Sequence, residues 1–103
     1  MDRFQEMTVF EAVADEMSLA KAARRLYLSA PTVTRAIDAL EQRIGVKLLQ
    51  RSTRGVALTE AGERFLADCR RILAEVADAD RSASGLHTSP QGRLQVSMPL
   101  LFG

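Results

Sequence analysis

The stretch "SLAKAARRLYLSAPTVTRAIDALEQRIG", Ser18 to Gly45, decides how the rest of this 103-residue chain is read. It holds two helical signals with a break between them. In the first, Leu19, Ala22, Ala23 and Leu26 face inward while Lys21, Arg24 and Arg25 face out. Ser18 is a favourable N-cap for it, and its two alanines permit another helix to come close. Tyr27 and Leu28 form the turn. In the second, Val33, Ile37, Leu40 and Ile44 recur at steps of three and four, so all four are expected in the core. Burial of each contributes roughly 1.5–3 kcal/mol. Ser29 caps this helix, Pro31 lies in its first turn, where a missing N–H does no harm, and Gly45 ends it in a left-handed cap. Turns of this kind favour Gly, Asn or His, because one residue often has positive φ. Tyr27 is therefore expected to be mildly strained unless its ring packs on a helix.

The exposed side of the second helix is unusual. It opens with Ser29, Ala30, Pro31, Thr32, Thr34 and Arg35: small residues, hydroxyls and one arginine, in place of a Glu/Lys mixture. Two short helices about a tight turn, with basic exposed faces, form a helix-turn-helix pattern over about residues 18–38. The second helix of such a pair lies in the DNA major groove with its first turn nearest the bases. Ala30 and Pro31 permit close approach. Ser29, Thr32 and Thr34 can hydrogen-bond to phosphates or base edges, and Arg35 can reach a guanine edge or a phosphate.

Working outward, residues 2–17 predict a first helix with Phe4, Met7, Phe10, Ala14 and Met17 on one face. After Gly45, apolar pieces around Leu48–Leu49 and Val56–Leu58 flank "RSTRG", which reads as a small β-hairpin over about 47–58 with Arg51 and Arg54 at its tip. Arginines so placed can straddle phosphates or enter the minor groove. Thr59 caps a long helix whose dipole suits Glu60 and Glu63. Phe65, Cys69, Ile72, Val76, Ala79 and Ala83 form a heptad-like stripe along it, expected to be a dimer seam. The helix fades in "SASGLHTSPQG", a linker, and "RLQVSMPLLFG" reads as the start of a strand.

Charge is distributed in keeping with this. Residues 18–58 hold Lys21, Arg24, Arg25, Arg35, Arg43, Lys47, Arg51 and Arg54 against Asp38 and Glu41 alone, whereas the flanking segments are acidic. Such a basic island fits a polyanion-binding surface, and by charge alone it fits a solvated face of mixed helices equally well. The composition, 47% hydrophobic and 26% charged, predicts a folded chain. No apolar run approaches the roughly 20 residues that span a bilayer, and the N-terminus lacks the order of a signal peptide. One cysteine cannot build a disulfide framework, in keeping with a cytoplasmic location.

The run from Ser18 to Leu66 closely resembles the DNA-binding domain of the LysR-type transcriptional regulators, through "AARRL", "LS.P.V.RAI..LE..IGVKLL.R" and "R.V.LTEAGE" at their spacing. The resemblance implies a mainly α fold: a winged helix-turn-helix over residues 1–58 and a linker helix over 59–84 that pairs antiparallel with its copy in a dimer. It also implies that residues 85–103 are a hinge and the first strand of a small-molecule-sensing domain, so that the chain is a piece of a longer regulator. Ser29 matches a backbone-contacting position, and Pro31, Thr32, Thr34 and Arg35 match the remaining contact face. Ala30 stands where the family often has glutamine, leaving apolar contact or shape complementarity there. Thr34 replaces the more usual serine, and Arg51 and Arg54 match the wing.

The remaining chemistry-bearing residues are sparse. Cys69 lies on the apolar stripe, where packing outweighs redox sensing, with a cross-dimer disulfide open if two copies meet there. His87 falls in the linker without metal-ligand partners, so no metal or cofactor is expected. No nucleophile–base pair or glycine-rich phosphate loop points to an enzyme. One rival keeps the fold, a winged-helix protein-interaction module; a second is the accessory domain of an enzyme.

Overall fold

The computed structural model describes residues 1–85. His87 and the expected strand lie outside the described residues. The order is α1 (Arg3–Glu16), α2 (Leu19–Leu26), α3 (Ala30–Ile44), β1 (Leu49–Ser52), β2 (Gly55–Leu58) and α4 (Glu60–Gly85). This is the expected mainly helical winged helix-turn-helix followed by a long helix. Two compact units divide the chain, Met1–Arg71 and Ile72 onward. The first therefore takes in the opening turns of α4 as well as the hairpin, beyond the boundary at 58 read from sequence.

Local chemistry sets the helix ends. Asp2 and Gln5 form a reciprocal capping box: Gln5 N–H donates to Asp2 Oδ1 at 2.7 Å, and Asp2 N–H donates to Gln5 Oε1 at 2.9 Å. Ser18 Oγ accepts from Lys21 N–H at 3.1 Å to start α2. At the end of α2, Tyr27 adopts φ 58° and ψ 40°. Its N–H donates to the Arg24 carbonyl at 3.2 Å and the Leu28 N–H donates to the Ala23 carbonyl at 2.9 Å, a Schellman cap. Gly45, φ 88°, ends α3.

The core of the first unit is a three-helix cluster closed by α4. Phe10 and Val13 of α1, Ala22 of α2, and Val33, Ile37 and Leu40 of α3 are fully enclosed, with Leu48 and Cys69. The Phe10 and Phe65 rings meet at a centroid separation of 5.4 Å, tilted by 54°, which fixes α4 on α1. Three residues assigned by periodicity to the inner face leave it. Ile44 is 39% exposed, and Phe4 and Met17 are each 46% exposed. All three lie at or near helix ends: Ile44 closes α3, Met17 is the left-handed cap of α1, and Phe4 opens it. Leu19 and Leu26, at the ends of α2, are half-buried, so Ala22 and Ala23 form its inner face.

β1 and β2 pair antiparallel, with Leu49 opposite Leu58 and Ser52 opposite Gly55. Thr53 and Arg54 form the tight connection. Gly55 has φ 118°, and a Cβ there would lie 3.1 Å from the Met17 carbonyl oxygen, so the wing tip lies close against the corner between α1 and α2.

The start of β1 is held from two sides. Glu41 of α3 is only 6% exposed, and its Oε2 accepts from the N–H groups of Leu48 at 2.8 Å and Leu49 at 3.1 Å. Thr59 holds the other edge: its N–H donates to the Leu48 carbonyl at 3.0 Å, and its hydroxyl donates to the Lys47 carbonyl at 2.7 Å. The same hydroxyl accepts from Gly62 N–H at 2.9 Å and so caps α4. A Cβ on Gly62 would lie 2.0 Å from the Leu48 carbonyl oxygen, so only glycine lets α4 come this near.

Candidate nucleic-acid interface

The leading edge of α3 is built as a ladder one helical turn per rung. Ser29 Oγ accepts from Thr32 N–H at 3.2 Å and lies 2.7 Å from Thr32 Oγ1. Arg35 Nη2 is 3.5 Å from the same Thr32 oxygen, at the limit of a hydrogen bond. Ser29, Thr32 and Arg35 therefore share one side of the helix, at steps of three. Each hydroxyl has one proton, and one of the two is used between Ser29 and Thr32. The pair thus keeps a single O–H for an outside acceptor, fewer than the sequence suggested. Ala30 and Pro31 are exposed beside this edge, and Thr34 is half-buried with no hydrogen bond to its hydroxyl among the described residues.

The cations of the basic island divide into two groups that sequence could not separate. Four are paired. Arg25 bridges Asp15 at 3.2 Å and Glu16 at 3.3 Å. Arg43 pairs with the buried Glu6. Lys47 Nζ lies 3.6 Å from Glu41 Oε1, near enough to offset its charge but beyond hydrogen-bond reach, so that buried oxygen has no hydrogen bond. Arg51 donates to Asp38 Oδ1 at 2.9 Å and ties the wing to α3. Arg51 was expected to serve the wing contact, and its Asp38 partner is a first claim on it. The other four, Lys21, Arg24, Arg35 and Arg54, have no acidic partner among the described residues and are exposed. They are distributed over α2, the leading edge of α3 and the wing tip.

Asp15 is the hub on the side of α1. Arg70 donates to its Oδ1 at 2.7 Å while Arg25 takes Oδ2. The hydrogen bond from Arg70, ahead of that from Arg25, holds the Asp15 carboxyl below its usual range.

The expected dimer stripe separates into two parts. Phe65 is half-buried against Phe10, and Cys69 is fully buried in the chain's own core, which closes the cross-dimer disulfide. Burial, followed by the charges of Glu11 and Asp68, pushes its thiol up to about 11. Ile72 and Val76 are 37% and 38% exposed, and Ala79 and Ala83 are exposed.

Two buried carboxylates, Glu6 and Glu41, escaped the sequence reading. A signal was present. Glu6 stands four residues before Phe10, and Glu41 four after Ile37, so both fall on the apolar stripes. An acid on a core stripe marks a partnered carboxylate. Among the described residues no cluster of His, Cys, Asp and Glu could hold a metal ion, and no helix is long and apolar enough to cross a membrane.

This architecture and its residues match known proteins. Residues 4–63 match the family described as bacterial regulatory helix-turn-helix protein, lysR family. The regulator YnfL of Escherichia coli (strain K12) is 46% identical over 92 residues, which are 89% of this chain and 31% of YnfL. The regulator TfdS of Cupriavidus pinatubonensis is 54% identical over 70 residues, 68% of this chain and 24% of TfdS. The chain thus spans about a quarter to a third of the length of these relatives. Among solved structures, a complex of CbnR_DBD with DNA superposes with a TM-score of 0.71 at 46% identity, covering 82% of this chain and 99% of that one. A complex of BenM_DBD with catB site 1 DNA superposes with a TM-score of 0.81 at 28% identity, covering 88% of this chain and 100% of that one. With the family match spanning more than half of its residues and the winged helix-turn-helix in place, the chain belongs to the LysR family of bacterial regulatory helix-turn-helix proteins.

Proposed function

We propose that this chain is the DNA-reading part of a cytoplasmic transcriptional regulator that binds operator DNA as a two-fold dimer. The observation that carries the reading is the sorting of charge. Lys21, Arg24, Arg35 and Arg54, on α2, the opening of α3 and the wing, have no carboxylate partner among the described residues, while Arg25, Arg43 and Lys47 are held by carboxylates of the fold. Solved relatives of this fold were captured on DNA, which supports the same partner here. In this reading Ser29, Ala30, Pro31, Thr32, Thr34 and Arg35 meet the major groove and Arg54, with Arg51, meets the backbone beside it. Unpaired cations supply salt-dependent affinity, and the first turn of α3 supplies sequence choice.

Two such heads would address half-sites about 34 Å apart, one turn of the duplex. Pairing of α4 with its copy uses Ile72, Val76, Ala79 and Ala83, the members of the stripe that the chain itself leaves open. A small-molecule effector acts on a further domain of the longer regulator. The chain performs no catalysis and requires no metal or cofactor.

A salt titration of binding to duplex DNA tests the reading: log affinity falls linearly with log salt, by about 0.9 per neutralised phosphate. A flat response points to a protein-interaction module and ends it. Arg35→Ala weakens binding to a selected operator by about 1–3 kcal/mol, and weakens non-specific binding less. Equal losses on all sequences reassign Arg35 to phosphate positioning.

A further inference from the structure

Tyr27 is the most exposed large hydrophobic residue among those described, at 96%. Its ring packs on no helix, so the relief expected for a tyrosine in this turn is missing. The Schellman cap uses only the backbone N–H groups of Tyr27 and Leu28, and any residue that tolerates positive φ would complete it. Left-handed backbone is less favourable for a residue with a Cβ than for glycine. Folding therefore gains nothing visible from this side chain. Its position does suggest a use. At most about 7 Å of chain separates Tyr27 from Ser29, the cap of the helix that leads the interface. Its N–H is bonded to the carbonyl of Arg24, one of the unpaired cations. Tyr27 thus stands, fully exposed, three residues after Arg24 and two before the cap of α3.

We propose that Tyr27 anchors the protein to the DNA backbone: its phenol O–H donates to a non-bridging phosphate oxygen flanking the half-site. This rests on the DNA-binding reading above. A hydroxyl donating to an anionic oxygen forms a short, strong hydrogen bond, and tyrosine is among the side chains that make such contacts. The contact differs in kind from those of Lys21 and Arg24. A neutral donor displaces no counterion, so it adds affinity without adding to the salt dependence. It carries no base preference either.

The test uses the full chain, a duplex selected by the wild-type protein from genomic fragments, and a random-sequence duplex of equal length. Tyr27→Phe is expected to bind both about five- to tenfold more weakly. Its log–log salt slope and its thermal midpoint stay at the wild-type values. Tyr27→Asn loses as much affinity while its midpoint rises, because asparagine tolerates the left-handed backbone. Wild-type affinity of Tyr27→Phe on both duplexes overturns the contact, as does a loss confined to the selected duplex, which would make Tyr27 a base reader, or a change in slope. Failure of the wild type to bind either duplex overturns the DNA-binding reading itself, and the contact with it.

Discussion

The two ends of α4 belong to one helix and one apolar stripe, yet they do different work. From Glu60 to Arg71 the helix is part of the first compact unit: Gly62, Leu66 and Cys69 are buried, Phe65 meets Phe10, and Arg70 grips Asp15. From Ile72 onward the described stripe residues stand in solvent. Heptad spacing is therefore a statement about one face of a helix and not about what covers it. The same sequence pattern serves an internal core through Cys69 and, from Ile72, a face that the described residues leave open.

The sharpest way to break this contrast is to truncate each part. Leu66→Ala should cost about 2–5 kcal/mol of folding stability, independent of protein concentration. Ile72→Asp should leave the folding of a single chain nearly unchanged but reduce the sedimentation mass from dimer to monomer. An unchanged mass would remove Ile72 from the seam, and a concentration-dependent Leu66→Ala midpoint would erase the boundary at Arg71.

Thiol chemistry sharpens the contrast with a smaller perturbation. Cys69, buried and with its thiol pushed up to about 11, should resist a thiol reagent at pH 8 until the chain unfolds. In a Cys69→Ala background, Val76→Cys should react at once in the monomer and cross-link two copies under oxidation. Rapid labelling of Cys69 in the folded protein would contradict its enclosure.

The smallest effect belongs to the Arg70–Asp15 pair, which is partly solvent-exposed, so solvent screening limits it. Arg70→Ala should cost about 0.2–1 kcal/mol near neutral pH. The lowered carboxyl of Asp15 gives the sign: its contribution is complete above the ordinary value of 3.8 and disappears as pH falls through the lower folded value. Acid titration of stability in wild type and Arg70→Ala should therefore converge below that window. A difference that persists there would assign the loss to packing of the arginine stem.

Much of the fold was legible because local chemistry announced it. Ser18, Ser29, Gly45 and Thr59 mark helix ends by side-chain capping or positive φ, and each does so in the structure. Periodicity found Val33, Ile37 and Leu40 for the same reason, since a stripe in mid-helix has a neighbour above it. It misplaced Ile44, Phe4 and Met17, because periodicity does not record where the neighbouring elements stop. The candidate site was less legible. Its residue types could be read, but the state of each cation depends on carboxylates distant in sequence. Arg51 finds Asp38 thirteen residues earlier, and Arg43 finds Glu6 across thirty-seven. Sequence charge counts summed the free and the committed alike.

The clasp on Leu48 has a consequence for how such a regulator diversifies. Glu41 from α3 and Thr59 with Gly62 at the start of α4 seize the same peptide, so α3, the wing and the opening turns of α4 are held as one body. On the proposed DNA-binding reading, base preference belongs to residues 29–35 and the spacing of two heads to the helix after residue 71. On that reading the two properties occupy separate stretches of chain, one inside the clasped unit and one beyond it.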